Sequence, residues 1–203
     1  MARGGFQYFI TFTNDHSRYG YMYLMKYKSE SLEKFIEFKT LVENQTGHHI
    51  NTLRSDRGGE YMSAEFDHFL RGHGILLQLT PPATPQLNGV AERRNRTLLD
   101  MVRSMLSYTD LPISLWGHAL LTAAHILNRC PSKSVPNTPY QIWRGRKPNL
   151  KHIRIWGCPA YVKKTKAEKL KARSLKGLFV GYLEDSMGYI FYLPDDQRII
   201  VAL

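Results

Sequence analysis

The pattern of apolar and polar positions changes period several times along this chain, and each change marks an element. Phe6-Gln7-Tyr8-Phe9-Ile10-Thr11-Phe12 is aromatic and β-branched, the composition of a buried strand. Asn14-Asp15-His16-Ser17-Arg18 supplies turn chemistry, and residues 19–25 read as a second strand, so the chain opens on a predicted hairpin. From Ser29 to Val42 the spacing becomes helical: Leu32, Phe35, Ile36, Leu41 and Val42 fall on one side, with Glu33, Lys34, Glu37 and Lys39 between them, and Gly47 ends the run. Residues 50–55 return to strand character. Residues 64–71 predict a short helix closed by Gly72, and 75–79 another apolar strand. Thr80-Pro81-Pro82-Ala83-Thr84-Pro85 forbids regular structure, because each proline removes a donor and fixes φ. A helix is predicted over 90–108, with Leu98, Met101, Val102, Met105 and Leu106 on its apolar side. A second, over 114–128, almost lacks charge and therefore reads as buried.

Beyond that point the texture shifts. Pro131, Pro136, Pro139 and Pro148 break up residues 131–150, where Tyr140-Gln141-Ile142-Trp143 is a lone apolar patch in a connector. Residues 155–162 then read as a strand, 163–176 as a basic loop, and 177–182, 188–192 and 199–201 as three more short strands divided by Gly and Asp turns. Short strands so arranged predict a small β-barrel. The organisation is therefore an α/β domain over 1–150 and a β module over 151–203.

Composition changes this picture in one respect. The 203 residues suit one moderate domain plus a small second one, and 43% hydrophobic content is enough for a core. No apolar run approaches the ~20 residues that span a bilayer, so no membrane partner is expected. Met1-Ala2-Arg3-Gly4-Gly5 has neither the signal-peptide nor the transit-peptide pattern. Two cysteines, Cys130 and Cys158, make no disulfide framework, and the Cys and His residues never fall into zinc-finger spacing. The net charge of +11 is what stands out. A chain this basic favours a polyanion, with salt-dependent binding through counterion release; mere solubility is the alternative.

Candidate chemistry concentrates between two carboxylates. Asp56, in Leu53-Arg54-Ser55-Asp56-Arg57-Gly58-Gly59-Glu60-Tyr61, ends a strand and is followed by two glycines after one arginine. Glu92, in Pro85-Gln86-Leu87-Asn88-Gly89-Val90-Ala91-Glu92-Arg93, lies in the first turn of the long helix. An Asx turn would explain Asp56 alone. A carboxylate on a strand tip and another on a helix start, each beside arginine, is also what a divalent-metal and phosphate site requires, since hard cations take carboxylate and phosphate oxygens. Arg93, Arg94 and Arg96 follow a loop at a helix start, where phosphate is favoured; a solvated helix face is the alternative. Lys163, Lys164, Lys166, Lys169, Lys171 and Lys176 make either a solvated loop or a phosphate-attracting one. His118 and His125, on the buried helix, read as packed core residues, as do Trp116 and Trp156.

Ser55-Asp56-Arg57-Gly58-Gly59-Glu60, Asn88-Gly89-Val90-Ala91-Glu92-Arg93 and the interval between them resemble the catalytic core of retroviral-type integrases, most closely those of copia-type retrotransposons. The family pattern is an Asp, a second Asp, then 35 residues and a Glu; residues 57–91 supply that interval. The likeness covers nearly the whole chain. It implies an RNase H-like integrase core followed by an SH3-like module, both segments of a Pol polyprotein. It further implies DNA integration by metal-dependent polynucleotidyl transfer, with Asp56 and Glu92 as catalytic residues and ligands of Mg²⁺ or Mn²⁺. DNA is the implied partner, with Gln86 and Asn88 approaching its end and Arg93, Arg94, Arg96, Lys163 and Lys164 on its phosphates. Self-association is left open, and the family implies a location in the nucleus or cytoplasm.

The departure from the family matters as much. Its first Asp lies on a central strand just before the hairpin, joined to it by the turn that Gly4-Gly5 matches, and its upstream His-His-Cys-Cys zinc module has no counterpart here. A truncated copy is therefore expected, inactive as a monomer. Omitting a central strand strips partners from its neighbours, at ~1–3 kcal/mol for each buried polar group. Against a native stability of ~5–15 kcal/mol, that predicts a marginal fold. Asp15 reads as a turn residue and Glu60 as a solvated loop residue, so neither is expected to replace the carboxylate. A non-catalytic DNA-binding or multimerising remnant and an inert pseudogene product are the alternatives.

Overall fold

A computed structural model describes residues 1–56, 58–59, 61–81, 89–163, 170, 172–183 and 186–202. They divide into two compact units, Arg3–Asn14 with Gly20–Thr97, and Asp15–Tyr19 with Leu98–Leu203.

In the first unit, β1 (Tyr8–Thr13) pairs antiparallel with β2 (Gly20–Met25), Thr13 opposite Gly20 beside the turn and Tyr8 opposite Met25 at the open end. A 3-10 turn at Lys28–Glu30 leads into α1 (Ser31–Thr46). The Glu30 carboxylate accepts from the Lys26 and Tyr27 amides and so fixes the entry. Gly47 closes α1 with φ +68°, a conformation that favours glycine, and its N–H donates to the Glu43 carbonyl. β3 (Thr52–Ser55) and β4 (Leu76–Leu79) are parallel, connected through α2 (Ala64–Gly72), which Ser63 caps by accepting from the Phe66 amide.

Alternation in β1 points Ile10 and Phe12 inward, where they meet Phe35 of α1, Phe66 and Leu70 of α2, and Ile75. Phe35 stands between Phe12 and Phe66, with ring centroids 5.6 and 5.5 Å away, and is fully buried, as is Phe66. Each such ring contributes about 1.5–3 kcal/mol by leaving water. One aromatic core thus joins the hairpin, both helices and the parallel pair. The hairpin and the β3–β4 pair are nevertheless two separate two-stranded sheets among the described residues.

α3 (Gly89–Ser107) begins in the first unit and ends in the second. The second unit adds α4 (Trp116–Arg129), a short α5 (Pro139–Arg144), and β5 (Pro159–Lys163), β6 (Ser174–Tyr182), β7 (Tyr189–Leu193) and β8 (Arg198–Ala202). These strands form one antiparallel sheet in the order β5-β6-β7-β8. The barrel expected here is an open sheet among the described residues, because β5 and β8 remain its edges. α4 lies on β6: its Ala119, Leu120 and Ala123, with Leu115 just before it, are fully buried, as the lack of charge predicts. A register shift between Phe179 and Gly181 bulges β6, and the Val180 carbonyl there accepts from both the Thr122 hydroxyl and the Trp156 indole N–H, each at 3.1 Å.

Three boundaries differ from those predicted. The apolar patch at 140–143 is α5, with Thr138 accepting from the Gln141 amide at its start and Gly145 at φ +69° after its end. Residues 155–158 are not strand: Gly157 takes φ +79° with its Cα against Thr109, so the extended run begins only at Pro159. Ser174, Leu175 and Lys176 belong to β6 rather than to the basic loop.

Candidate metal and DNA site

Asp56 follows β3 directly and is exposed. Its Oδ1 accepts from the Gly58 amide at 3.1 Å, an Asx turn that hands the chain to Tyr61 and Met62 and on to α2. The preceding Ser55 is buried, and its carbonyl accepts from Thr80, which extends the β3–β4 ladder to the point where the carboxylate emerges. A parallel pair covered by α2 therefore holds Asp56 at the end of its strands.

Glu92 lies in the first turn of α3 and is exposed, as are Arg93 and Arg96. Positions 92 and 96 are one helical turn apart, and 93 and 96 three residues apart, so these side chains share one outward face. Arg94 and Asn95 turn the other way. Thr11 of β1 donates to Asn95 Oδ1 at 2.9 Å, and the Arg94 guanidinium lies against Gly20 of β2 so closely that a Cβ there would sit 2.3 Å from its Nε. These two contacts pin the start of α3 to the hairpin and leave Glu92, Arg93 and Arg96 to solvent.

Asp56 and Glu92 both belong to the first compact unit. They are donors of the right kind for Mg²⁺ or Mn²⁺, hard carboxylate oxygens, but they are few. Among the described residues no three His, Cys, Asp or Glu side chains gather as a metal-holding group. Asp15 is engaged with Arg18 in its own turn. Gln86, Asn88, Glu60, Lys164, Lys166, Lys169 and Lys171 lie outside the described residues.

In the second unit, Lys163 ends β5 and is exposed, and Lys176 is exposed on β6. His125 is packed rather than liganding: its ring stacks on Tyr182 at 3.9 Å and meets His152 edge-on at 6.0 Å. Burial first, then the Arg129 and His152 charges, pull His125 down to about 3; burial and Arg129 also lower His152. Trp156 is buried as expected. Sequence alone missed the inward role of Arg94 and Asn95, whose partners Gly20 and Thr11 lie more than seventy residues earlier. No described helix is long and apolar enough to cross a membrane.

Residues 158–202 match the retroviral polymerase SH3-like domain. Over 202 residues the chain is 41% identical to the retrovirus-related Pol polyprotein from transposon TNT 1-94 of Nicotiana tabacum, a match that covers 98% of this chain and 15% of that protein. It is 32% identical over 205 residues to the Pol polyprotein from transposon RE1 of Arabidopsis thaliana, covering 100% of this chain and 14% of the other. The chain thus spans a small fraction of the relatives it matches. Among solved structures, a chain of the simian T-cell lymphotropic virus intasome in complex with PP2A regulatory subunit B56 gamma superposes with a TM-score of 0.55 at 18% identity, covering 95% of this chain and 68% of that one. The HTLV-2 integrase catalytic core domain in complex with magnesium, in its trimeric form, gives 0.50 at 20% identity, with 65% and 81% covered. At such identities the likeness shows the fold, which is that of an integrase core.

Proposed function

From the premise that this chain is an integrase-like segment of a retrovirus-related Pol polyprotein of the plant-transposon kind, we propose that it derives from the machinery of DNA integration, binds DNA, and by itself does not catalyse strand transfer. The observation that carries this reading is the outward face of α3, where Glu92 stands beside Arg93 and Arg96 at a helix start while Arg94 and Asn95 anchor the helix behind it. A divalent cation bound here would supply Lewis-acid activation of water or of a DNA 3′-hydroxyl toward a phosphodiester. Asp56 and Glu92 are the residues that would hold such an ion. Two carboxylates with substrate phosphates suit one such ion, whereas clamping an in-line displacement between two metals asks for more ligands than the described residues gather. Arg93 and Arg96 bind phosphate oxygens; Arg94 keeps the packing role that its contact with Gly20 gives it. Lys163 adds charge from the SH3-like module, and self-association belongs to the same proposal.

The test is 3′-processing and strand transfer by the purified chain with Mn²⁺, beside an Asp56→Asn, Glu92→Gln double variant. A folded, DNA-binding and inactive wild type is the expected result. Activity that disappears in the double variant would show a third ligand supplied from elsewhere and overturn the proposed inactivity. A chain with no DNA affinity at low salt would leave only the inert product.

A further inference from the structure

The outer face of the β5–β6 edge carries an exposed ring between two exposed cations. Val162 faces the buried cluster with Phe179 and Phe191, and alternation therefore turns Tyr161 and Lys163 outward. Tyr161 is 75% exposed. The antiparallel register sets Tyr161 directly opposite Lys176, which is also exposed, and such cross-strand partners stand about 5 Å apart at Cβ. Lys163 follows Tyr161 on the same face, two residues along the strand, or about 7 Å. Ser174, opposite Lys163, continues the face with a small side chain, and Arg173 just before it is exposed.

A large ring left three-quarters in water on an edge strand gains little from burial. Flanked by ammonium groups on both strands, it has the makeup of a single-strand nucleic-acid platform, in which the ring stacks a base and the cations track the backbone. A duplex keeps its bases stacked on one another and offers this ring only its backbone or its terminal pair. An unpaired nucleotide offers the open π-face that the ring can cover. The chain's net charge of +11 supplies the attraction that brings any polyanion close.

We propose that Tyr161, Lys163 and Lys176 form a stacking site for an unpaired nucleotide, giving the SH3-like module a preference for single-stranded over duplex DNA. The site rests on the DNA-binding reading above but not on Asp56, Glu92 or any metal, and its ligand class is narrower than that reading requires.

Fluorescence anisotropy of the full chain with a labelled oligothymidylate and, separately, a blunt duplex, each titrated across salt, tests it. Tyr161→Ala should weaken the single strand by about tenfold and leave the duplex unchanged, since one base–aromatic stack contributes on that order. Tyr161→Phe should bind the single strand as wild type does, because the π-face survives. Lys163→Ala and Lys176→Ala should each lower the single-strand salt slope by about 0.7, whereas Tyr161→Ala should leave it unaltered. Unchanged single-strand affinity in Tyr161→Ala overturns the site while leaving DNA binding intact. So does an equal loss on both substrates, or a Phe variant as weak as Ala. If the wild-type chain binds neither substrate at low salt, both this site and the broader reading fall.

Discussion

Three positions at the residue scale show how placement becomes measurable, two through pH and one through packing. Glu43 near the end of α1 accepts from Lys39 Nζ at 2.7 Å and, through its other oxygen, from the Ile50 amide at 2.9 Å. Those hydrogen bonds, the Lys39 one foremost, hold its carboxyl down at about 2, against an ordinary 4.5. The unfolded chain takes up that proton first as pH falls, so the contribution of Glu43 is complete above 4.5 and disappears between there and about 2. In Glu43→Gln that part of the decline should vanish from the urea midpoint plotted against pH; parallel profiles would show that the pair does nothing for folding. His125 works in the same direction for a different reason. Burial keeps its imidazole neutral down to about 3, so the unfolded chain, titrating near 6.5, binds more protons across the interval. Stability is complete above 6.5 and falls toward 3, and the His125 ring resonances should not titrate as the solution passes 6.5. Gly20 is the third such position. Gly20→Ala places a methyl group into the Arg94 guanidinium, and overpacking of this kind costs about 1–3 kcal/mol. Arg94→Ala should relieve much of that cost, so the double variant should be more stable than the sum of the single effects; strict additivity would mean that the two do not touch.

At the scale of elements, local chemistry decides more than the apolar pattern does. α5 is six residues long, too short to stand without its ends, and Thr138 supplies one of them by accepting from the Gln141 amide. Thr138→Ala should cost about 1 kcal/mol in urea unfolding, and Thr138→Ser should retain most of it. The signals for that helix were present, a Thr cap, Pro139 at its first position and Gly145 beyond its last, but four prolines in twenty residues read as a connector. The longer elements were legible because period alone identifies them: the hairpin, α1, the β3–α2–β4 unit, α3 and α4 all lie within a few residues of where the sequence puts them. What was not legible depended on distant partners. The strand expected from residue 155 starts at Pro159 because Trp156 turns in to reach the Val180 carbonyl and Gly157 adopts a positive φ against Thr109. Barrel closure would require β5 to meet β8, and no residue on either strand announces whether it does. For the site, the interval between Asp56 and Glu92 and their positions on a strand end and a helix start were readable. Which arginine of α3 points outward was not, because Gly20 decides it from across the hairpin.

For the molecule as a whole, net charge supplies the long-range attraction to DNA and the placement of cations sets its salt dependence. A charge of +11 says that a polyanion will be attracted, yet only cations that displace condensed counterions enter the slope of log affinity against log salt. On duplex DNA each neutralised phosphate contributes about 0.9 to that slope. The outward face of α3 offers Arg93 and Arg96, and the opposite face keeps Arg94 against Gly20. Arg93→Ala and Arg96→Ala should therefore each lower the duplex slope by nearly one and weaken binding alike on every sequence tested. Arg94→Ala should leave the slope intact, and any loss should appear as an unfolding midpoint instead. If Arg94→Ala flattens the slope while Arg93→Ala and Arg96→Ala do not, the helix is presented to DNA by its other face, and the assignment of Glu92 to a phosphate-facing surface falls with it. If none of the three changes the slope, binding resides in the SH3-like module, where the same titration against a single strand would find it.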